Sequence, residues 1–263
     1  MRKILIRRQM SLLSGLFYFV AAIIVFSLSC GFAESAGNTF NDSFSNSKKM
    51  LERDVYRDQR ITFYCGCPYD NRKNVQVCPN YTPVSGSKRS TRVEWEHIVP
   101  AAHFGQSFKE WREGDPACVD NRGKPFKGRN CASKIAIPYR FMESDMYNLV
   151  PAVGEVNGLR SNYRFGMVAG NNFIDVCGMK IDKESRTVEP PEQIRGFIAR
   201  TYKYMDQAYP GHGIIGKSNQ KLFDAWDKQH PVDKWECERC RRIEKIQGNE
   251  NAVVKEQCRQ AGL

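Results

Sequence analysis

The residues best suited to chemistry lie in one short stretch, which contains Glu96 and His97 and ends at Pro100. In this stretch Val93, Trp95 and His97 alternate with Glu94, Glu96 and Ile98, which predicts a short strand. Adjacent residues on a strand point to opposite faces, so the carboxylate and the imidazole need a bend near Pro100 to reach one site. There the carboxylate would suit a hard metal ion and the imidazole would suit proton transfer from water. A half-buried strand with an inward-facing histidine is the plainer interpretation of the pair alone.

Asn148 is a second residue whose side chain could serve a metal ion. It follows residues 139–147, a segment compatible with an amphipathic helix. An asparagine near a helix end is normally a cap or a turn residue. Its side-chain oxygen is also a neutral ligand suited to Mg²⁺, which prefers oxygen ligands and keeps several waters. The residue types alone leave both interpretations open.

Together, these two stretches resemble the endonuclease I family of periplasmic and secreted bacterial nucleases. The resemblance rests first on Glu94-Trp95-Glu96-His97 and Asn148-Leu149-Val150-Pro151. Further matching pieces, in the family's order, are Phe63-Tyr64-Cys65-Gly66-Cys67, Met142-Glu143-Ser144-Asp145, Arg160-Ser161-Asn162-Tyr163-Arg164, Glu189-Pro190-Pro191, Ala199-Arg200-Thr201-Tyr202 and Trp235-Glu236-Cys237-Glu238-Arg239. Each piece is short, and their common order along the chain gives the resemblance its weight.

The resemblance implies an α+β fold, with a single helix-rich domain built around a ββα-metal nuclease motif and stapled by disulfides. In that motif two strands precede a helix that bears Asn148. We expect the strands at residues 61–64 and in the stretch that contains His97. Downstream, Pro190-Pro191 opens a segment with an apolar face, which predicts helical support in the C-terminal third.

The resemblance also implies roles for individual residues. His97 would be the general base, because a neutral imidazole with a pKa near ~6.5 accepts a proton from water at mild pH. Glu96 and Asn148 would be the protein ligands of one Mg²⁺. An arginine before an Asn-Cys pair would hold the phosphate, since a guanidinium binds phosphate bidentately. Arg129 is the candidate, although Gly128-Arg129-Asn130-Cys131 is one residue shorter than the family's Gly-Arg-Lys-Asn-Cys.

The implied activity is Mg²⁺-dependent endonucleolytic hydrolysis of double- and single-stranded DNA and of RNA, with 5′-phosphate products. Mn²⁺ or Ca²⁺ is expected to replace Mg²⁺ in binding, and the enzyme is expected to be a monomer. Little sequence preference is implied, and neither an RNA-binding signature nor a base-reading helix is recognisable. The alternative is an exported, non-catalytic protein for nucleic-acid binding or uptake. Such a protein would not need Glu96, His97 and Asn148 together.

Residues 1–33 are predicted to be a signal peptide, so the protein is expected in the periplasm or outside the cell. A basic start precedes a long apolar run, and Gly31-Phe32-Ala33 supplies small residues for cleavage after Ala33. An uncleaved membrane anchor is the alternative, since the apolar run is close to the length that spans a bilayer. After cleavage, residues 34–47 are expected to be a flexible lead-in and residues 48–263 the nuclease domain, without stable membrane association.

Positive charge is the main compositional feature of the chain. The formal net charge is +11, and it falls to +7 without residues 1–33, which contain four basic residues and no acidic one. Such a charge favours polyanionic partners, although ordinary surface charge would explain it equally well. Basic residues cluster in two places, with Lys88, Arg89 and Arg92 before the central stretch and Arg122, Lys124, Lys127 and Arg129 in one loop. These clusters are suited to follow a phosphate backbone.

The chain has ten cysteines, of which nine remain after the predicted leader is removed. In an oxidising compartment, such a density indicates a disulfide framework with one thiol left over. We predict only the Cys118–Cys131 pair, which would close the basic loop. The resemblance implies that Cys240 is the odd cysteine, because the family commonly has an acidic residue there. The alternative is a zinc site with thiolates from Cys65 and Cys67 and from Cys237 and Cys240.

Overall fold

Short helices alternate with short strands in the computed structural model, which describes residues 37–263. The α-helices are α1 (Phe44–Met50), α2 (Ala101–Gly105), α3 (Lys109–Arg112), α4 (Arg129–Ile135), α5 (Ile137–Glu143), α6 (Gly154–Arg160), α7 (Arg195–Ala208), α8 (Lys217–Gln229), α9 (Lys234–Gln247) and α10 (Ala252–Gln260). The strands are β1 (Val93–His97), β2 (Leu149–Val153), β3 (Arg164–Phe165), β4 (Ile174–Val176), β5 (Met179–Asp182) and β6 (Thr187–Glu189). This helix-rich α+β mixture agrees with the expected fold class.

The predicted leader, residues 1–33, lies outside the described residues. Within residues 37–263, no helix combines the length and the apolar character needed to cross a membrane. These described residues belong to one compact unit.

The ribbon formed by β1 and β2 positions the residues around His97. The two strands are antiparallel, with Trp95 opposite Pro151 and His97 opposite Leu149. Every residue of β2 is buried, because one face of the ribbon packs on the core and the other lies under α6. Pro151 is tolerated in this strand because its backbone groups face away from β1, so the ladder needs no N–H there; its carbonyl accepts instead from the main-chain nitrogen of Phe63 at 2.7 Å.

Two expectations about this ribbon were wrong. Residues 61–64 do not form one of its strands, because Ile61 makes only an isolated bridge to Pro68. The partner of β1 is β2, which lies far downstream in the sequence. Asn148 is also not on the helix of the motif, because it ends a 3₁₀ turn, Met146–Asn148, that leads into β2. The helix that follows the ribbon is α6.

The N-terminal part of the described chain differs from the expected loose lead-in. Asn38 is 1% exposed, and its main-chain nitrogen donates to the hydroxyl of Tyr209 at 2.8 Å. Its side-chain oxygen accepts from the main-chain nitrogens of Phe40 and Asn41, which closes a tight turn. Ser43 then caps α1 by accepting from the nitrogen of Asn46. The polar residues that suggested looseness therefore satisfy the local backbone instead.

The C-terminal third gives helical support, as the apolar pattern after Pro190-Pro191 predicts. Helix α7 begins at Arg195 after a 3₁₀ turn and packs against α8. The side chain of Arg200 is 2% exposed in this layer and donates to the carboxylates of Glu236 and Asp227. The strands β3 to β6 form a second sheet in the order β3-β6-β5-β4, which contacts α7 through the rings of Phe165 and Tyr202.

Four disulfides staple the described chain. Cys118–Cys131 closes the basic loop, which confirms the one pairing that was predicted. The other three are Cys65–Cys177, Cys67–Cys78 and Cys237–Cys258. Because Cys65, Cys67 and Cys237 are consumed in these bonds, they cannot supply the thiolates of a zinc site.

Cys240 is the free cysteine among the described residues, and it is buried. Burial raises the pKa of its thiol to about 11, and only the thiolate reacts readily with disulfide reagents. We therefore expect an Ellman titration of the processed protein at pH 8 to find no reactive thiol in the native state and one after denaturation. Cys240→Ser should leave nuclease activity unchanged and raise the yield of correctly oxidised protein, since it removes a competitor for Cys258. A fast-reacting native thiol would contradict this assignment.

Candidate active site

His97 is held by a main-chain carbonyl at the end of α5. Its Nε2 lies 2.8 Å from the carbonyl oxygen of Glu143. A carbonyl oxygen can only accept a hydrogen bond, so Nε2 must carry the ring proton in the neutral imidazole. The lone pair of Nδ1 then remains to accept a proton. The structure thus fixes which nitrogen of His97 can act as a base.

The electrostatic surroundings keep this imidazole neutral. His97 is 7% exposed, and burial, followed by the positive charge of Arg129, lowers the pKa of its ring to about 3. The carbonyl of Glu143 opposes this shift only partly. A general base must be unprotonated before the reaction, so a neutral ring at neutral pH is the state that this role requires.

Arg129 lies beside His97 and is joined to the same residue, Glu143. It is the first residue of α4, and the turn before it places Gly128 at a φ of 76°, a left-handed conformation that favours glycine. Its Nε donates to the Glu143 carboxylate at 2.5 Å, while 44% of its side chain stays exposed. The terminal nitrogens of the guanidinium are therefore left for an incoming phosphate.

Glu143 is a candidate site residue that the sequence did not single out. It is 6% exposed, and its carboxylate accepts from both Arg129 and Ser133, which lie one turn apart on α4. Its main-chain carbonyl holds His97 at the same time. Glu143 falls within one of the matching family pieces, but no spacing connects it with His97. One residue therefore joins the predicted base to the predicted phosphate holder.

Glu96 lies on the opposite face of β1, as the strand periodicity requires. Its Oε1 accepts from the hydroxyl of Tyr64 at 2.9 Å and from Nη1 of Arg160 at 2.9 Å. Arg160 is 1% exposed and also donates to the carbonyls of His97 and Ile98. Burial raises the pKa of the Glu96 carboxyl, and the charge of Arg160 opposes that shift.

Asn148 is committed to the backbone that follows β1. Its Oδ1 accepts from the main-chain nitrogen of Val99 at 2.7 Å, and its Nδ2 donates to the carbonyl of Val99 at 2.9 Å. The residue is 0% exposed. Arg239 fixes the same turn by donating to the carbonyls of Met146 and Leu149. In this arrangement the side chain extends the ribbon by one more pair, and its amide has no exposed surface to offer a hydrated ion.

A second amide faces the same strand from helix α6. Asn157 donates through Nδ2 to the carboxylate of Glu94 at 3.3 Å, and it lies one turn before Arg160, which binds Glu96. Glu94 and Glu96 share one face of β1. Asn157 is partly exposed, and its Oδ1 accepts no hydrogen bond from the described residues. Mg²⁺ takes oxygen ligands and keeps waters, so Glu96 with Asn157 fits this ion better than Glu96 with Asn148.

The described residues contain no group of three or more His, Cys, Asp or Glu side chains placed to hold a metal ion. A metal at this ribbon would therefore have few protein ligands and would depend on water and substrate oxygens, as Mg²⁺ commonly does.

The basic loop between Cys118 and Cys131 leads directly to Arg129. Arg122, Lys124 and Lys127 are exposed and form no ion pair with other described residues. By contrast, Arg89 and Arg92 of the other cluster both pair with Glu94. The loop is thus the stronger of the two candidates for a phosphate-backbone contact.

Comparison with known proteins identifies the family of this chain. The family model described as Endonuclease I matches residues 34–258. The chain belongs to the endonuclease I family. This confirms the family that the motifs around His97 and Asn148 resembled.

Several known proteins are similar to this endonuclease I family member over most of their length. An extracellular deoxyribonuclease of Aeromonas hydrophila is 43% identical over 223 residues, 82% of this chain and 90% of that protein. A periplasmic deoxyribonuclease of Aeromonas hydrophila is 42% identical over 78% of this chain and 82% of that protein. Endonuclease-1 of Buchnera aphidicola subsp. Acyrthosiphon pisum (strain APS) is 39% identical over 80% of each chain.

Proposed function

We propose that this endonuclease I family member is an exported, Mg²⁺-dependent and largely non-specific endonuclease. It hydrolyses phosphodiester bonds of DNA and RNA and leaves 5′-phosphates. The observation that carries the proposal is the pairing of a neutral, oriented imidazole with a guanidinium through Glu143. The family, the deoxyribonuclease names of its relatives and the exposed basic loop support a nucleic-acid substrate. The extracellular and periplasmic names among the relatives support export.

In the proposed reaction, Nδ1 of His97 takes a proton from the attacking water, a role typically worth ~10²–10⁴ in rate. Arg129 holds the phosphate through its terminal nitrogens and offsets charge that builds on it. Glu143 keeps both groups in place. A bound Mg²⁺ would supply further stabilisation of charge on the phosphate and on the departing 3′ oxygen. Glu96 would hold that ion together with an amide oxygen, from Asn148 by family resemblance or from Asn157 by the geometry of α6.

A plasmid-nicking assay tests the activity itself. We expect supercoiled plasmid to be nicked in the presence of Mg²⁺, to stay intact in EDTA, and to be nicked again once excess Mg²⁺ is restored. Sequencing the ends should find 5′-phosphates without a sequence motif. A protein that binds the plasmid but never nicks it would instead be the non-catalytic binding or uptake protein.

Three variants distinguish between the candidate metal ligands. Glu96→Gln should raise the Mg²⁺ concentration for half-maximal cleavage, because it removes the charged ligand. Asn157→Ala should do the same, whereas Asn148→Ala should leave the metal dependence unchanged and instead lower stability by about 1–3 kcal/mol. That cost follows because the variant leaves the buried backbone groups of Val99 unpaired.

Mg²⁺ titrations of nicking rate, Mn²⁺ binding by calorimetry and urea unfolding give the three readouts. A raised metal requirement in Asn148→Ala, with Asn157→Ala unchanged, would assign the amide ligand to Asn148. An unchanged metal requirement in Glu96→Gln and in both asparagine variants would eliminate this metal site.

A further inference from the structure

Helix α1 covers the His97 side of the ribbon with two of its side chains. The ring of Phe44 lies against the imidazole of His97, with 4.9 Å between the ring centroids and 32° between the planes. The ammonium of Lys48 lies 4.5 Å from the centroid of the same Phe44 ring. The guanidinium of Arg129 approaches that ring at 5.3 Å. A single aromatic ring thus touches the proposed base and is approached by two cations.

The position of α1 is fixed close to the residues that orient His97. Ser47 donates through its hydroxyl to the carbonyl of Ser144, which directly follows Glu143. The side chain of Asn41 donates to the same hydroxyl at 2.7 Å. Ser47 is 0% exposed, so these bonds are shielded from water and define one position for the helix.

Phe44 and Lys48 have the spacing that places side chains on one helix face, because residues four apart are neighbours on an α-helix. Phe44 is partly exposed, and Lys48 forms no ion pair with the described residues. Because Lys48 and Arg129 both approach the Phe44 ring that lies against His97, their charges are close to the proposed base. An unpaired cation beside a general base and a phosphate-holding arginine is suited to bind a further phosphate oxygen.

We propose that helix α1 forms part of the active site. In this role, Phe44 positions the imidazole of His97 and Lys48 binds a phosphate of the substrate strand. The proposal rests on the proposed function of His97 and Arg129. Phe44 restricts rotation of the imidazole, whose only hydrogen bond to the described residues is the one from Nε2 to Glu143. Lys48 adds a second positive charge beside Arg129 for the negative backbone.

The two roles predict different kinetic effects. Phe44→Leu should lower kcat on the order of ten- to hundredfold with KM nearly unchanged, because misplacement of a reacting group is felt in the chemical step. Phe44→Tyr keeps the ring and should stay within about threefold of the wild type. Lys48→Met should raise KM with kcat nearly unchanged, and should reduce the slope of log binding constant against log salt by about 0.9 for duplex DNA.

Lys49→Met is the matched control for Lys48→Met. It removes the same charge from the next residue, which is exposed and lies about 100° further around the helix. We expect its KM and salt slope to remain close to those of the wild type. Equal effects of the two lysine variants would overturn the role of Lys48, because they would reflect net charge alone.

Histidine ring spectra test the Phe44 contact without using activity. The chain has four histidines, and His97 is assigned by its disappearance in His97→Ala. In Phe44→Leu, the ring protons of His97 should move downfield as the shielding of the stacked ring is lost, while the other histidines stay in place. Unfolding midpoints measured in urea show whether the variants remain folded.

An unmoved His97 signal or an unchanged kcat in Phe44→Leu would overturn the positioning role. If the wild-type enzyme fails to nick DNA while the His97 signal still moves, the proposed function fails and the contact between Phe44 and His97 stands.

Discussion

Replacing His97 with alanine should lower the rate of plasmid nicking at least about a hundredfold, the lower end of what a general base contributes. The reason is that Nδ1 of His97 is the neutral, unpaired nitrogen of a ring already oriented by Glu143. Binding of DNA should survive, since the exposed loop of Arg122, Lys124 and Lys127 is untouched. Single-turnover nicking rates and filter binding in EDTA measure the two effects separately.

His103→Ala is the matched control, because His103 is the other histidine near the ribbon. Its Nε2 binds the carbonyl of Asn162 at 3.0 Å, and no contact within residues 37–263 joins it to Arg129. We expect this variant to keep most of the nicking rate. A His97→Ala enzyme with more than about a tenth of the wild-type rate would remove His97 from the role of base.

Arg160→Met should produce the largest loss of stability, about 3–5 kcal/mol in the free energy of unfolding. The substitution keeps the apolar stem but leaves the carboxylate of Glu96 buried without its cationic partner, and such unpaired charges are costly. Arg160 also donates to the carbonyls of His97 and Ile98, so the end of β1 should loosen. Urea unfolding measures the loss, and nicking at low temperature shows whether the active site suffers with it.

Glu96→Gln combined with Arg160→Met separates charge from packing. The double variant should regain part of the lost stability, because it no longer buries an unpaired carboxylate. Arg259→Met is the surface control, since Arg259 pairs with Glu256 in solvent and its removal should change little. A loss below about 1 kcal/mol in Arg160→Met would mean that the buried pair does not hold the ribbon.

Features that depend on local pattern were predictable from the sequence. The alternation around Trp95 predicted β1, and the period of two placed Glu96 and His97 on opposite faces. The apolar face after Pro190-Pro191 predicted α7. Cys118 and Cys131 flank one basic loop, and their pairing was predicted for that reason. In each of these cases the cause lies within a few residues of the effect.

Features that depend on distant pairing were not predictable. The partner of β1 is a strand that contains Pro151, a residue that normally argues against a strand. Asn148 is a residue type that can bind a metal ion, yet its amide is hydrogen-bonded to the backbone of Val99, and only the fold reveals this. The carbonyl of Glu143, which orients His97, belongs to the backbone and has no signature in the residue type. The resemblance supplied the family, but not the register that brings these groups together.

The disulfide Cys118–Cys131 bears on the cellular compartment in which the nuclease becomes active. Cys131 lies two residues after Arg129, so this cross-link ties down the start of the helix that carries the arginine proposed to hold the phosphate. Loss of a native disulfide from a secreted domain typically costs about 2–5 kcal/mol. In the reducing cytosol, where thiols stay reduced, the chain would lack all four cross-links while it is close to the chromosome. Oxidation after export would then activate the nuclease only in a compartment that does not contain the chromosome of the producing cell.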